Sequence, residues 1–68
     1  MFIELSHRNY ATSNGSYPIC INTDNIASFN GTTTGTTRID LLYHSPSESS
    51  YIIVLESYEE VKEKMGVK

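Results

Sequence analysis

The stretch Tyr51-Ile52-Ile53-Val54-Leu55-Glu56-Ser57-Tyr58-Glu59-Glu60-Val61 decides the fold, because a strand pattern gives way to a helix pattern inside it. Tyr51 to Glu56 is the most hydrophobic part of the chain, with Tyr51, Ile53 and Leu55 on one face of a strand and Ile52 and Val54 on the other. A strand that is apolar on both faces is expected to be covered on both, so this segment is the candidate for the central strand. Ser57 and Glu60 then stand at the spacing of a capping box, in which each side chain accepts from the other's backbone amide. Tyr58, Val61 and Met65 form one stripe at helical spacing, enough to pack a short helix onto a sheet. Glu59 and Glu60 near its start, Lys62 and Lys64 towards its end and Gly66 beyond agree with that direction.

Upstream the period is two. Met1 to Arg8 alternates, with Met1, Ile3, Leu5 and His7 on one face, and Tyr17 to Asn22 puts Tyr17, Ile19 and Ile21 together. Asn14-Gly15 between them suits the positive φ angles of a type I′ turn, so the two form a hairpin, with Pro18 near a strand start or on an edge. Thr23-Asp24-Asn25 is a turn cluster, and Ile26 to Asn30 follows with Ile26 and Phe29 on opposite faces. Gly31 to Thr37 is expected to be a mobile tip, and Arg38 to His44 a fourth strand ending before the Ser45 to Ser50 break. The fold class is α+β and mostly β: an antiparallel meander of about five strands closed by one short C-terminal helix, in a single domain over residues 1–68.

A chain of 68 residues buries only about 60% of the surface it exposes when unfolded, so a staple or a partner is expected. Cys20 stands alone, which removes an internal disulfide, and His7 and His44 form no zinc array with it. One short helix leaves apolar sheet surface and at least one strand edge over, which predicts a homodimer or a higher symmetric oligomer. Five Lys and Arg against eight Asp and Glu give a net charge of -3, which argues against a duplex nucleic-acid partner. The opening residues lack a signal-peptide pattern and the longest apolar run, Tyr51 to Leu55, is far below the roughly 20 residues that span a bilayer. A soluble, cytoplasmic protein with no membrane partner is the expectation.

No Ser lies in a nucleophile elbow and the glycines form no phosphate loop, so the expectation is a protein that is not an enzyme and has no cofactor or metal. Cys20, between Ile19 and Ile21, is read as a small buried or half-buried hydrophobe, and the two histidines as hydrogen-bonded boundary residues. Five tyrosines are harder to set aside. If a binding site exists, its candidates are Arg8, Asn9, Tyr10, Arg38 and Tyr43, with the Thr32 to Thr37 loop; two arginines near aromatic residues could hold an anionic or nucleotide-like small molecule.

Three segments carry a family resemblance: Met1-Phe2-Ile3-Glu4-Leu5, then Ile19-Cys20-Ile21-Asn22-Thr23-Asp24-Asn25-Ile26, and Val54-Leu55-Glu56-Ser57-Tyr58-Glu59-Glu60-Val61. Together they make the chain similar to small phage or prophage proteins of the flagellar FlbD/SwrD type. The resemblance implies a small β-rich fold closed by a helix and no catalytic residue to carry over. The segments Asn9 to Ser16 and Gly31 to Thr37 are longer and more polar than the compact turns of the flagellar members, which favours the phage-type branch. The function expected is stoichiometric binding by a phage or prophage accessory factor that inhibits a host or defence system by occupying a host protein. The alternatives are an oligomeric sponge for a nucleotide-like small molecule and a flagellar motility accessory protein.

Overall fold

The computed structural model describes residues 1–9, 15–47 and 49–67. Five strands and one helix follow in chain order: β1 (Phe2–Arg8), β2 (Ser16–Asn22), a 3-10 turn η1 (Thr23–Asn25), β3 (Ile26–Gly31), β4 (Thr37–Leu41), β5 (Tyr51–Val54) and α1 (Tyr58–Lys64). All pairings are antiparallel, and the order across the sheet is β2-β1-β5-β4-β3. The expected class therefore holds, with β5 in the middle of the sheet. Added to the expected hairpins is the return of β5 to β1, which moves the break in the sheet to between β2 and β3.

That break dictates curvature. From Asn22 to Ile26 the chain takes four steps, at most about 14 Å even if fully extended. Flat, the two edge strands of a five-stranded sheet would stand about 19 Å apart, four spacings of about 4.8 Å. The sheet must roll until β2 and β3 approach each other, and its concave face becomes the interior. Period two then sorts the side chains. Ile3 and Leu5 from β1, Ile21 from β2, Ile39 from β4 and Val54 from β5 turn inward and are buried, joined by Val61 from α1.

The helix begins as its sequence dictates. Glu60 donates its backbone N–H to Ser57 Oγ and accepts from the Ser57 N–H through its carboxylate, both at 3.2 Å. At its end Gly66, at φ +74°, lets the Gly66 and Val67 amides turn back to the Glu63 and Lys62 carbonyls, a Schellman closure. Tyr58 stacks its ring 5.3 Å from that of Phe29, and a Cβ added to Gly31 would lie 3.3 Å from Tyr58 Cβ, so α1 sits tightly on β3.

Closure of β1 on β5 rests on few bonds. His7 pairs with Val54, and the Leu55 N–H donates to the Ser6 carbonyl at 2.9 Å. Beyond that the ladder is continued by a side chain: Glu56 accepts the Ser6 N–H at 2.8 Å on one carboxylate oxygen and the Ser6 hydroxyl at 3.0 Å on the other. Its own carbonyl accepts the hydroxyl of Thr37, which is fully buried, at 2.8 Å. One residue thus ties β1 and β4 to the end of β5.

Several expectations change. Ile26 and Phe29 both pack on the core, because a register shift between Ile26 and Ser28 inserts an extra residue and resets the alternation. The fourth strand stops at Leu41 rather than His44, since the Asn25 side chain takes over the backbone of Tyr43, accepting its N–H at 2.6 Å and donating to its carbonyl at 3.1 Å. Gly31 and Thr37 lie within strands, and the tip between them is hydrogen-bonded, Thr32 N–H to the Thr36 carbonyl at 2.9 Å and hydroxyl to hydroxyl at 2.7 Å. The outer face of β5 is not covered: Tyr51 and Leu55 stay exposed, because α1 packs on the interior side. Gly15 has φ +72° as the hairpin requires, while Asn14 lies outside the described residues.

Replacing Glu56 by Ala should cost ~2–3 kcal/mol, because it strips a charged acceptor from two donors. For a domain of this size that lowers the melting temperature by roughly 8–24 °C. Thr37→Val, which leaves one carbonyl unpaired in an otherwise conserved shape, should cost about 1 kcal/mol. Calorimetric melts of the two variants test both, and a Glu56→Ala variant melting like the parent would remove the clamp from the account.

Candidate functional site

Rolling a short sheet leaves its interior incompletely filled. At the end away from α1, β2 forms one wall of a groove of about 310 Å³ whose floor and far side come from β1, β4, β5 and the chain after β4. Tyr17 and Ile19 enter from β2, His7 from β1, Leu41 from β4 and Ile52 from β5, because these are the inward-turned positions of each strand beyond the six buried core residues. Asn25 and Tyr43, already locked together by the Asn25 side-chain amide on the Tyr43 main chain, complete the rim. A second depression, of about 380 Å³, lies against Glu60, Glu63 and Lys64. Among the described residues it is bounded by the surface of one helix alone.

His7 is the chemically distinctive member of the groove. Its ring lies 4.9 Å from that of Tyr17 with a 36° tilt, and its Nδ1 is buried with no hydrogen-bond partner. The sequence expectation of a hydrogen-bonded boundary histidine fails at that atom. Strand alternation carries the ring inward with Ile3 and Leu5, where its neighbours are Tyr17 and Val54 and offer Nδ1 no partner. His44 also lines the groove and is exposed, with Nδ1 3.2 Å from the Ser45 carbonyl.

The four described candidate binding residues do not converge. Tyr43 belongs to the groove and is 77% exposed. Arg38 points from the outer face of β4, where it forms an ion pair with Asp40 at 3.1 Å and lies 4.0 Å over the Tyr51 ring. Asp40 is itself held by the Ser28 hydroxyl at 3.2 Å. Arg8 and Asn9 stand at the end of β1, Arg8 opposite Ser16 and Asn9 donating to the Gly15 carbonyl at 2.8 Å. Tyr10 lies outside the described residues. An anion held between Arg8 and Arg38 was the sequence reading; in the structure Asp40 already neutralises Arg38, and Arg38 is outside the groove.

Cys20 also differs from its reading as a buried or half-buried hydrophobe. It is exposed, since with Ile19 and Ile21 turned inward the residue between them must turn out, and it stands at the margin of the groove. His7, Tyr17 and Asn25 were missed as a group. The signal was faint: His7 shares a face with Ile3 and Leu5, but nothing local shows that Leu41 and Ile52 will lie beneath it. Comparison with protein-family models, curated proteins and solved structures returns no match. No helix among the described residues is long and apolar enough to cross a membrane.

His7→Phe should keep the ring packed on Tyr17 while deleting the unpartnered nitrogen. Removing an unpaired buried polar atom relieves its desolvation cost, so stability should stay level or rise by up to about 1 kcal/mol. Urea unfolding measures this; a clear loss of stability would mean that the imidazole is hydrogen-bonded in the folded protein.

Proposed function

We propose that the chain is a non-enzymatic binding protein that acts by stoichiometric occupancy, and that its groove receives an apolar protrusion of a partner protein. The observation that carries this reading is the groove itself, in which Ile19, Ile21, Leu41 and Ile52 with Tyr17 and Tyr43 form an apolar floor and rim interspersed with Cys20, Asn22, Asn25 and His44, and His7 Nδ1 is buried beneath. Its volume of about 310 Å³ is at the small end for a dedicated small-molecule pocket, and suits one or two side chains. Tyr17 and Tyr43 at the rim supply large, rigid contact area with a wet hydroxyl, the residue type that carries much of the energy of protein interfaces. An accessory factor of phage or prophage origin that blocks a host or defence protein fits this mode of action. Sequestration of an anionic small molecule draws less support, because Arg38 is engaged by Asp40 on the other face of the sheet.

Tyr43→Ala is the decisive variant. The side chain is exposed and its structural bonds are made by the main chain, so truncation should leave stability within about 0.5 kcal/mol. Affinity for a partner captured by the parent chain should fall tenfold or more, about 1.4 kcal/mol. Titration calorimetry with that partner reads the loss, and footprinting of the complex should protect Tyr17 and Leu41. Unchanged affinity with no protection there would place recognition on another surface.

A further inference from the structure

The groove is selective in its charge. None of the eleven residues that line it is Lys, Arg, Asp or Glu, although these types make up 19% of the chain. A carboxylate or phosphate entering it would lose water and meet no Lys or Arg, and an ammonium or guanidinium would meet no carboxylate. Cation–π contact with the exposed Tyr43 ring returns too little to offset that loss. The guest is therefore uncharged.

Four of the eleven lining residues carry rings. His7 and Tyr17 already lie 4.9 Å apart at a 36° tilt, and Tyr43 and His44 stand across from β2. An aromatic guest gains from such rings beyond the area it buries, roughly two- to tenfold in affinity for each offset or edge-on pair, and an aliphatic guest does not.

Hydrogen bonding adds a third requirement. Asn25 commits its carboxamide to Tyr43, accepting the main-chain N–H at 2.6 Å and donating to the carbonyl at 3.1 Å. Asn22, on the β2 wall, is different. Its Oδ1 accepts the Asp24 N–H at 3.1 Å, and Nδ2 of this half-buried residue finds no acceptor among the described residues. The missing partner is an oxygen that accepts.

We infer that the groove receives a tyrosine side chain of the partner protein, its ring on the aliphatic floor between Tyr17 and Tyr43 and its hydroxyl accepting from Asn22 Nδ2. This rests on the reading of the groove as the partner-binding surface and narrows it to one residue type. Phenylalanine would leave Asn22 unpaired, and tryptophan carries only a donor. A phosphorylated tyrosine would bring about two negative charges into a site without Lys or Arg, so phosphorylation of the guest releases it.

Single-ring probes test this on the full chain, with amide spectra of isotope-labelled protein titrated with p-cresol, toluene, cyclohexylmethanol and p-tolyl phosphate. p-Cresol should move the amides of Ile19, Leu41 and Ile52, binding about threefold or more tightly than toluene or cyclohexylmethanol. p-Tolyl phosphate should leave them in place. An end-blocked Gly-Gly-Tyr-Gly-Gly peptide should move the same amides at least as readily as p-cresol. Asn22→Ser keeps an oxygen to cap η1 and withdraws the longer amide donor, so it should abolish the preference for p-cresol over toluene, with circular dichroism confirming the fold.

Equal or tighter binding of cyclohexylmethanol or of p-tolyl phosphate overturns the aromatic, uncharged guest. Equal binding of toluene, or an unaltered preference in folded Asn22→Ser, overturns the hydroxyl contact. p-Cresol binding without peptide binding overturns the protein source in favour of a free phenol. If none of the probes moves these amides while partner affinity still depends on Tyr43, the inference fails and the groove remains the partner surface; if Tyr43→Ala is also without effect, both fail.

Discussion

The carboxylate of Glu56 holds together two pieces that the chain itself joins only through a three-residue turn. On one side is the β1–β2 hairpin; on the other is the three-stranded β3-β4-β5 sheet with its helix. Among the described residues β1 and β5 pair at one position, His7 with Val54, and the Leu55 N–H adds a bond to the Ser6 carbonyl before the strands separate. Where β5 turns away towards α1, the side chain of Glu56 supplies the acceptors that a continuing strand would have supplied. Hydrogen bonds to a charged group are worth about 1.5–3 kcal/mol each, a large share of the 5–15 kcal/mol by which most domains are stable. With six buried apolar side chains as its core, this domain depends on that closure more than a larger one would.

Curvature is the other consequence of the same arrangement. A short η1 forces β2 and β3 to approach, and the clamp at Glu56 prevents the sheet from relaxing by separating β1 from β5. Tension between the two is resolved by rolling, and α1 fills one end of the interior with Val61 and Tyr58. Seven helical residues cannot reach the other end. The groove around His7 is that unfilled end, so the feature offered for recognition and the clamp that stabilises the fold share one cause.

Local chemistry was legible in the sequence and long-range geometry was not. Ser57, Glu60 and Gly66 announce the helix ends because capping is decided within four residues. The inward positions of β1 and β2 follow from strict alternation. At Ala27 alternation fails, since a bulge shifts the frame by one without any local mark, and Ile26 and Phe29 end on the same side. Leu42, Tyr43 and His44 continue the strand pattern in sequence, yet the backbone of Leu42 and Tyr43 is claimed by Asn25, 18 residues from Tyr43. Glu56 looked like the polar end of an apolar run, and its partner Ser6 is 50 residues away. The described members of the candidate site lie apart for the same reason. Arg8, Arg38 and Tyr43 were grouped by residue type near strand ends, whereas β5 lies between β1 and β4 and directs Arg38 to the outer face while Tyr43 reaches the groove.

Strand β2 shows how period two and curvature combine. Its odd positions turn Tyr17, Ile19 and Ile21 inward and direct their main-chain groups at β1. Cys20 and Asn22 alternate the other way and still line the groove, because rolling brings the outer margin of β2 to face Leu41, Tyr43 and His44. One wall of the groove is therefore a strand margin and not a sheet face, so whatever enters meets polar groups along that wall as well as the aliphatic side chains of the floor.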